Sequence, residues 1–269
     1  MYLTRIGLAA AAPPPPADGA AATSRAADLD TLASVVAAHT ATIPFENLTP
    51  LLGGRVHLEP EALQDKLVAR RRGGYCFEHN LLLCDELSAM GFAPVGLAAR
   101  VLWNAPGPVP RTHMLVRVGD HLVDCGFGGM TLTGVLALKP DVEQETSLEP
   151  FRLRRQGEWW TLQGLLPSGW RDVYTFTLEP QQRVDYELYN WYTSTHPASL
   201  FVNHLVVGRP GTDRRFALLD NRLTVHHLGG PSEERVLGDV AAIEATLTDV
   251  FDLDLSGLDG LREVLDRFV

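Results

Sequence analysis

Cysteine is scarce in this sequence: three among 269 residues, an odd number with no Cys-x-x-Cys spacing. Complete disulfide pairing and a zinc ribbon are excluded, and the expected setting is reducing and cytoplasmic. No apolar run approaches the ~20 residues that a membrane-spanning helix needs. Met1 to Ala12 hold one arginine and a short alanine patch before Pro13 to Pro16. That stretch is too weakly apolar for a secretory signal, so an unprocessed chain is expected. Basic charge is also in deficit: 33 acidic residues against 23 Lys and Arg leave a net charge of −10, which argues against a nucleic-acid or other polyanion binder. No internal repeat is found. The remainder, 45% apolar and 21% charged, is ordinary for a globular protein of one large or two to three smaller domains.

What is present centres on Arg71-Arg72-Gly73-Gly74-Tyr75-Cys76-Phe77-Glu78. Pro60 suits the first position of a helix, Leu63 and Leu67 give it an apolar stripe, and basic residues fill its last turn before Gly73-Gly74. A second helix is expected to start with Cys76 in its first turn and to run through Phe77, Leu81, Cys84 and Ser88 to a stop near Gly91. A thiol there faces unpaired N–H groups and the positive end of a helix dipole, which favours the thiolate form. Taken alone, a cysteine beside Gly-Gly is more often a small buried hydrophobe than a nucleophile.

Residues Leu8 to Ala27, nearly all alanine and proline, read as a flexible surface excursion. A helix follows from Asp28, its cap, with Leu29, Leu32, Val36 and His39 on one face; His39 reads as a hydrogen-bonded, half-buried side chain. Pro44 ends it, leaving Phe45-Glu46 extended or turned, with Glu46 either solvated or paired with Arg71 or Arg72. Beyond Pro94 the texture changes to short branched and aromatic runs: Val95–Trp103, Met114–Val118, Leu122–Cys125, Glu158–Leu166 and Val173–Leu178. These predict an antiparallel sheet or barrel. Tyr186–Thr195 reads as a connecting helix ended by His196-Pro197. Strands are expected at Leu205–Val207, Phe216–Leu219 and Leu223–His227. Two helices follow, one with Val240, Ile243, Leu247 and Val250 on one side, the other starting at Ser256.

Thr112 to Cys125 reads as a β-hairpin turning at Gly119-Asp120, a two-residue turn with glycine first. That register sets Val118 opposite His121, Val116 opposite Val123 and Leu115 opposite Asp124. His113 and Asp124 then share a face as diagonal neighbours, while Cys125 points to the other face as a core thiol. A three-residue turn would reverse the parity. An aspartate beside a histidine fixes the tautomer and stabilises the imidazolium; contact with Cys76 would complete an activated thiolate. The plain alternative is an inconsequential surface pair. Gly126-Phe127-Gly128-Gly129 follows at once, either a plain loop or one whose N–H groups hold a pyrophosphate or an oxyanion.

Together these residues resemble the arylamine N-acetyltransferase family. The resemblance includes Tyr2-Leu3-Thr4-Arg5-Ile6-Gly7, Ile43-Pro44-Phe45-Glu46-Asn47-Leu48, Arg72 to Glu78, Thr112-His113, Val123 to Gly129, Asn190 to Pro197 and the Leu223-Thr224 strand, in the family's order. The proline and alanine run after Gly7 departs from the family pattern, as does Cys125 beside Asp124. The resemblance implies an α+β fold: an N-terminal helical bundle, a central antiparallel β-barrel and a C-terminal α/β lid around a cysteine-protease-like Cys-His-Asp core. The implied divisions are 1–95 with the nucleophile, 96–185 with His and Asp, 186–199 as interdomain helical linker, and 200–269 as lid. It implies that Cys76 takes an acetyl group from acetyl-CoA, that His113 activates it and that Asp124 orients His113, with no metal. An arylamine or arylhydrazine then attacks in a ping-pong cycle. Phe45, Phe127 and Phe201 would line the acceptor site, although Phe201 also reads as lid core. Thr112, Gly126, Gly128 and Gly129 would meet CoA, and Glu46 with Arg72 would support the active-site turn.

Three rivals accompany this expectation. Polyketide amide synthases share the triad and take a carrier-bound acyl chain to an internal arylamine. A hydrolase would pass the same acyl-cysteine to water, and a degenerate member would only bind. No nucleic-acid or membrane partner is expected, and a homo-oligomer is left open.

Overall fold

A computed structural model describes residues 1–8, 28–105 and 107–269; the alanine and proline excursion lies outside them, apart from Leu8. Two sheets organise the chain. The larger has eight antiparallel strands and curls into a nearly closed barrel. The smaller has five antiparallel strands, and its first is Phe45–Glu46, which pairs with Val207 and Gly208 of the C-terminal part. The α+β class expected from the resemblance is therefore the observed one.

The first long helix sits where its apolar periodicity places it. Leu29–Thr42 is capped by Asp28, whose carboxylate accepts from the Asp30 N–H, and it buries Leu32, Val35, Val36 and His39. Leu29 itself is exposed, because the first turn overhangs the core. His39 is fully buried rather than half-buried. Its Nδ1 meets the Tyr2 hydroxyl at 2.8 Å and its Nε2 meets His79 Nδ1 at 2.8 Å; His79 Nε2 then donates to the Pro44 carbonyl at 3.1 Å. Burial pushes the His79 imidazole down to about 4, so this chain of rings is neutral near pH 7.

The helix after Pro60 departs from expectation. It is α-helical over Pro60–Leu63, widens to π-helical turns over Gln64–Ala69, and stops at Arg70. Arg71 turns back at φ +51°, and Gly74 lies extended against Phe45. The glycines serve close approach rather than a helix stop. A Cβ on Gly73 would sit 2.0 Å from the Pro44 carbonyl oxygen, and one on Gly74 would sit 2.7 Å from Glu78 Oε2. Cys76–Ala89 then forms the expected helix, ending before Gly91 at φ +90°.

Strands Arg111–Val118 and His121–Val123 pair as expected, Val118 with His121 and Val116 with Val123, with Gly119 at φ +57° in the turn. Alternation divides their side chains between two cores. Met114, Val116, Val123 and Cys125 pack with the N-terminal helices, while Leu115 and Leu122 pack inside the barrel. Cys125 is thus the core thiol its parity required. Arg183–Thr195 is the connecting helix, and a third core lies between the small sheet and the last helices.

Several elements differ from the sequence reading. Phe151–Gln156 and Glu233–Val236 are strands that it does not anticipate. The last helix begins at Leu261 rather than Ser256, because Gly257 and Gly260 adopt positive φ and hold that stretch in turns.

Candidate active site

Three elements converge at the end of the Cys76 helix. Tyr75 caps that helix, and its N–H donates to Glu78 Oε2 at 3.0 Å. Cys76, in the first helical position, is buried, and its Sγ lies 3.6 Å from the Thr112 carbonyl oxygen. Thr112 is the extra residue of a β-bulge: Ala99 pairs with His113 and Arg100 with Arg111, leaving Thr112 without a partner. A bulge re-aims the backbone locally, and here its carbonyl meets the thiol.

His113 Nε2 lies 2.7 Å from Asp124 Oδ2, the diagonal contact that the hairpin register implies. Its other ring nitrogen is left for Cys76, whose thiol lies close enough to favour the charged ring. Burial opposes a charge on His113. The Asp124 carboxylate, their hydrogen bond and the contact with Cys76 outweigh it and push the imidazole up to about 10. Burial likewise opposes ionisation of Asp124, yet His113, Asn80 and the Gly126 N–H hold its carboxyl below the usual range.

Asn80 is absent from the sequence reading. One helical turn beyond Cys76, it donates to Asp124 Oδ1 at 3.0 Å and to the Met114 carbonyl at 2.7 Å, and accepts from the Cys125 N–H at 3.1 Å. The i, i+4 spacing from Cys76 is the one local signal for it. Asn47 is a second omission. Its carboxamide reaches across to the C-terminal part, to the backbone of Phe201, His204 and Val206.

Beneath the turn lies a buried group of charges. Arg72 donates to Glu46 Oε1 through Nε at 3.1 Å and Nη2 at 2.7 Å, which settles the choice between Arg71 and Arg72. Arg71 pairs instead with Asp252 at the surface. Lys66 sits 2.6 Å from Glu78 and 3.8 Å from Glu46. Burial opposes charge on Glu46, but Lys66 and Arg72 hold it below the usual carboxylate range; for Glu78 burial outweighs Lys66 and the shift is upward.

The aromatic residues named from the sequence fall into two adjoining sets. Phe45 faces Phe201 at a ring separation of 5.7 Å, and Tyr75 lies 5.6 Å from Phe201. Phe127 stands edge-on to His113 at 5.2 Å. Phe201 packs with the N-terminal cluster and is not part of the C-terminal core.

Each glycine of the following loop has its own setting. Gly126 lies on the backbone of Cys76, since a Cβ there would fall 2.6 Å from Cys76 Cα, and its N–H donates to Asp124 at 2.9 Å. Gly128, at φ +89°, packs against the Phe45 ring, and its N–H donates to Thr131 Oγ1 at 2.8 Å. Gly129 borders open space. Among the described residues no cluster of three or more His, Cys, Asp or Glu has the arrangement of a metal site, and no helix is long and apolar enough to cross a membrane.

A barrel and a helical part that meet over a buried thiol, imidazole and carboxylate define a class, and the family model that matches residues 28–259 is that of the N-acetyltransferases. The arylamine N-acetyltransferase of Mycolicibacterium smegmatis is 43% identical, over 98% of this chain and 97% of that protein. Its Escherichia coli counterpart is 38% identical over 85% of this chain and 83% of that one. The solved Mycobacterium marinum arylamine N-acetyltransferase superposes with a TM-score of 0.89 at 39% identity, covering 99% of this chain and 98% of that one. A structure of the Mycobacterium marinum enzyme in complex with CoA gives 0.88. The chain belongs to the arylamine N-acetyltransferase family and is an acyltransferase.

Proposed function

We propose that this chain moves an acetyl group from acetyl-CoA to the nitrogen of an arylamine or arylhydrazine through a thioester on Cys76. In the first half-reaction His113, raised to about 10, already holds the proton near pH 7, and the Cys76 sulfur reacts as its ion-pair partner. Sulfur attacks the thioester carbonyl, and the CoA thiolate leaves with the proton that His113 returns. In the second, the amine nitrogen attacks acetyl-Cys76, the C–S bond breaks, and the nitrogen's proton reaches the thiolate by way of His113. Asp124 keeps the ring in the tautomer that presents its free nitrogen to sulfur. The observation that carries this reading is the 2.7 Å contact of His113 Nε2 with Asp124, which leaves the second nitrogen for the thiol.

Phe45, Phe127 and Phe201 supply flat apolar walls of the kind that suit a flat aromatic acceptor. For the donor, the relative bound to CoA supports a CoA thioester. The Gly126 and Gly128 N–H groups are already engaged, whereas Gly129 borders open space. In this reading the space beside the Gly129 Cα takes the pantetheine arm of CoA on its way to Cys76, where the Thr112 carbonyl also lies. Glu46 and Arg72 hold the turn in place. We assign residues 1–95, 96–185, 186–199 and 200–269 as bundle, barrel, linker and lid.

The test is steady-state kinetics with acetyl-CoA and a simple arylamine such as 4-methylaniline varied together. Parallel double-reciprocal lines are expected; intersecting lines would mean a ternary complex and defeat the thioester route.

A further inference from the structure

The four-residue helix Leu200–Asn203 carries Phe201 but buries none of its own residues, and Leu200 is exposed. Its Phe201 ring rests against Phe45 and Tyr75 but stays only part-buried. Polar tethers add to its placement. At one end Ser199 Oγ accepts from the Phe201 N–H at 3.3 Å. At the other, the fully buried Asn47 carboxamide makes three hydrogen bonds. Nδ2 donates to the carbonyls of Phe201 at 2.8 Å and His204 at 2.7 Å, and Oδ1 accepts from the Val206 N–H at 2.7 Å. Three of the four hydrogen-bonding positions of the amide thus converge on one six-residue stretch. Asn47 follows directly on Phe45-Glu46, so one short segment sets both sides of the Phe45 and Phe201 pair, 5.7 Å apart.

We propose that Asn47 is a positioning residue for the acceptor: by clamping the Phe201 turn to the Phe45 segment it fixes the width of the aromatic slot that admits the arylamine. The inference rests on the acetyltransfer reading above and deepens it. Asn47 has no hydrogen bond to Cys76, His113, Asp124 or the Gly126–Gly129 loop. Loss of the clamp therefore acts on the second half-reaction and spares the first.

The experiment compares wild type, Asn47→Ala, Phe201→Ala and the double variant. Acetylation of each by acetyl-CoA is followed by intact mass, and de-acetylation is followed with a one-ring and a two-ring arylamine. Asn47→Ala is expected to take acetyl from acetyl-CoA within about twofold of the wild-type rate. Its KM for arylamine should rise roughly ten- to a hundredfold, with an altered preference between one ring and two. Because Asn47 acts through Phe201, the double variant should be no worse toward amine than Phe201→Ala alone. If Asn47→Ala fails to fold, Asn47→Asp keeps the acceptor for Val206 but neither donor, and the same pattern is expected of it. Independent, multiplying penalties, or a donor half-reaction that falls as far as the acceptor half, would overturn the proposal. A wild-type chain that takes no acetyl group would instead overturn the reading beneath it.

Discussion

Asp124 accepts from His113, from Asn80 and from the Gly126 N–H, and none of its surface reaches solvent. Replacing it with asparagine retains the shape but offers an N–H where the ring needs an acceptor, so the imidazole turns its wrong tautomer toward sulfur. Asp124→Asn is expected to lower kcat/KM by roughly 10³–10⁴-fold while Cys76 stays in place. The comparison also has a pH signature. His113 is raised from about 6.5 to about 10, so the folded state holds its proton more tightly. That stabilisation is complete below the unfolded value and fades as pH rises through about 10. Asp124, shifted downward, contributes above its unfolded value and is lost as acid protonates it. The stability gap between wild type and Asp124→Asn in urea unfolding should be widest between these limits and narrow above pH 10. His113 and Asp124 were legible in the sequence because a two-residue turn fixes parity. Asn80 and Asn47 were not, since a lone asparagine gives no periodic signal of what it will meet.

At the scale of elements, the loop after Asp124 and the helix of Cys76 meet at one point, where Gly126 lies on the Cys76 backbone. A methyl group there would meet main chain, which cannot move aside as a flexible side chain would. Gly126→Ala should destabilise by about 1–3 kcal/mol and depress thiol acylation, read by thermal melting and by acetyl incorporation. The helices were legible by their caps and apolar stripes, and the barrel strands by their branched runs. Phe151–Gln156 was hidden because Arg152 and Arg154 take its outer face and Arg155, on the inner parity, is exposed, so only Phe151 and Leu153 are buried. The Pro60 helix stops short of its sequence signal: Gly73-Gly74 looks like a helix stop but serves close packing against Pro44 and Glu78.

Across the whole molecule, the barrel and the small sheet are joined by a charge pair. Arg215, buried in strand Arg214–Leu219, donates to Glu149 through Nε at 3.0 Å, with Nη2 at 2.5 Å, and its Nη1 reaches the Gly129 carbonyl at 3.4 Å. Removing one partner strands the other in a mostly buried setting. Arg215→Met should cost about 3–5 kcal/mol in chemical denaturation, and Arg215→Met with Glu149→Met should recover part of it. This level was the least legible. That Phe45–Glu46 forms the first strand of a sheet built mainly from the C-terminal region follows from no local pattern. Pro44 makes the segment legible as extended or turned, but nothing local names the distant strand it pairs with.

The central claim is that Cys76 carries the acetyl group between donor and acceptor. Its most direct test is intact mass of the protein after mixing with acetyl-CoA alone, peptide mapping of the adduct, and then addition of an arylamine. One acetyl group on Cys76, discharged by the amine with equal release of N-acetylated product and absent from Cys76→Ala, is the predicted result. An acetyl group on another residue, discharge at the same rate without amine, or turnover by Cys76→Ala would contradict the account.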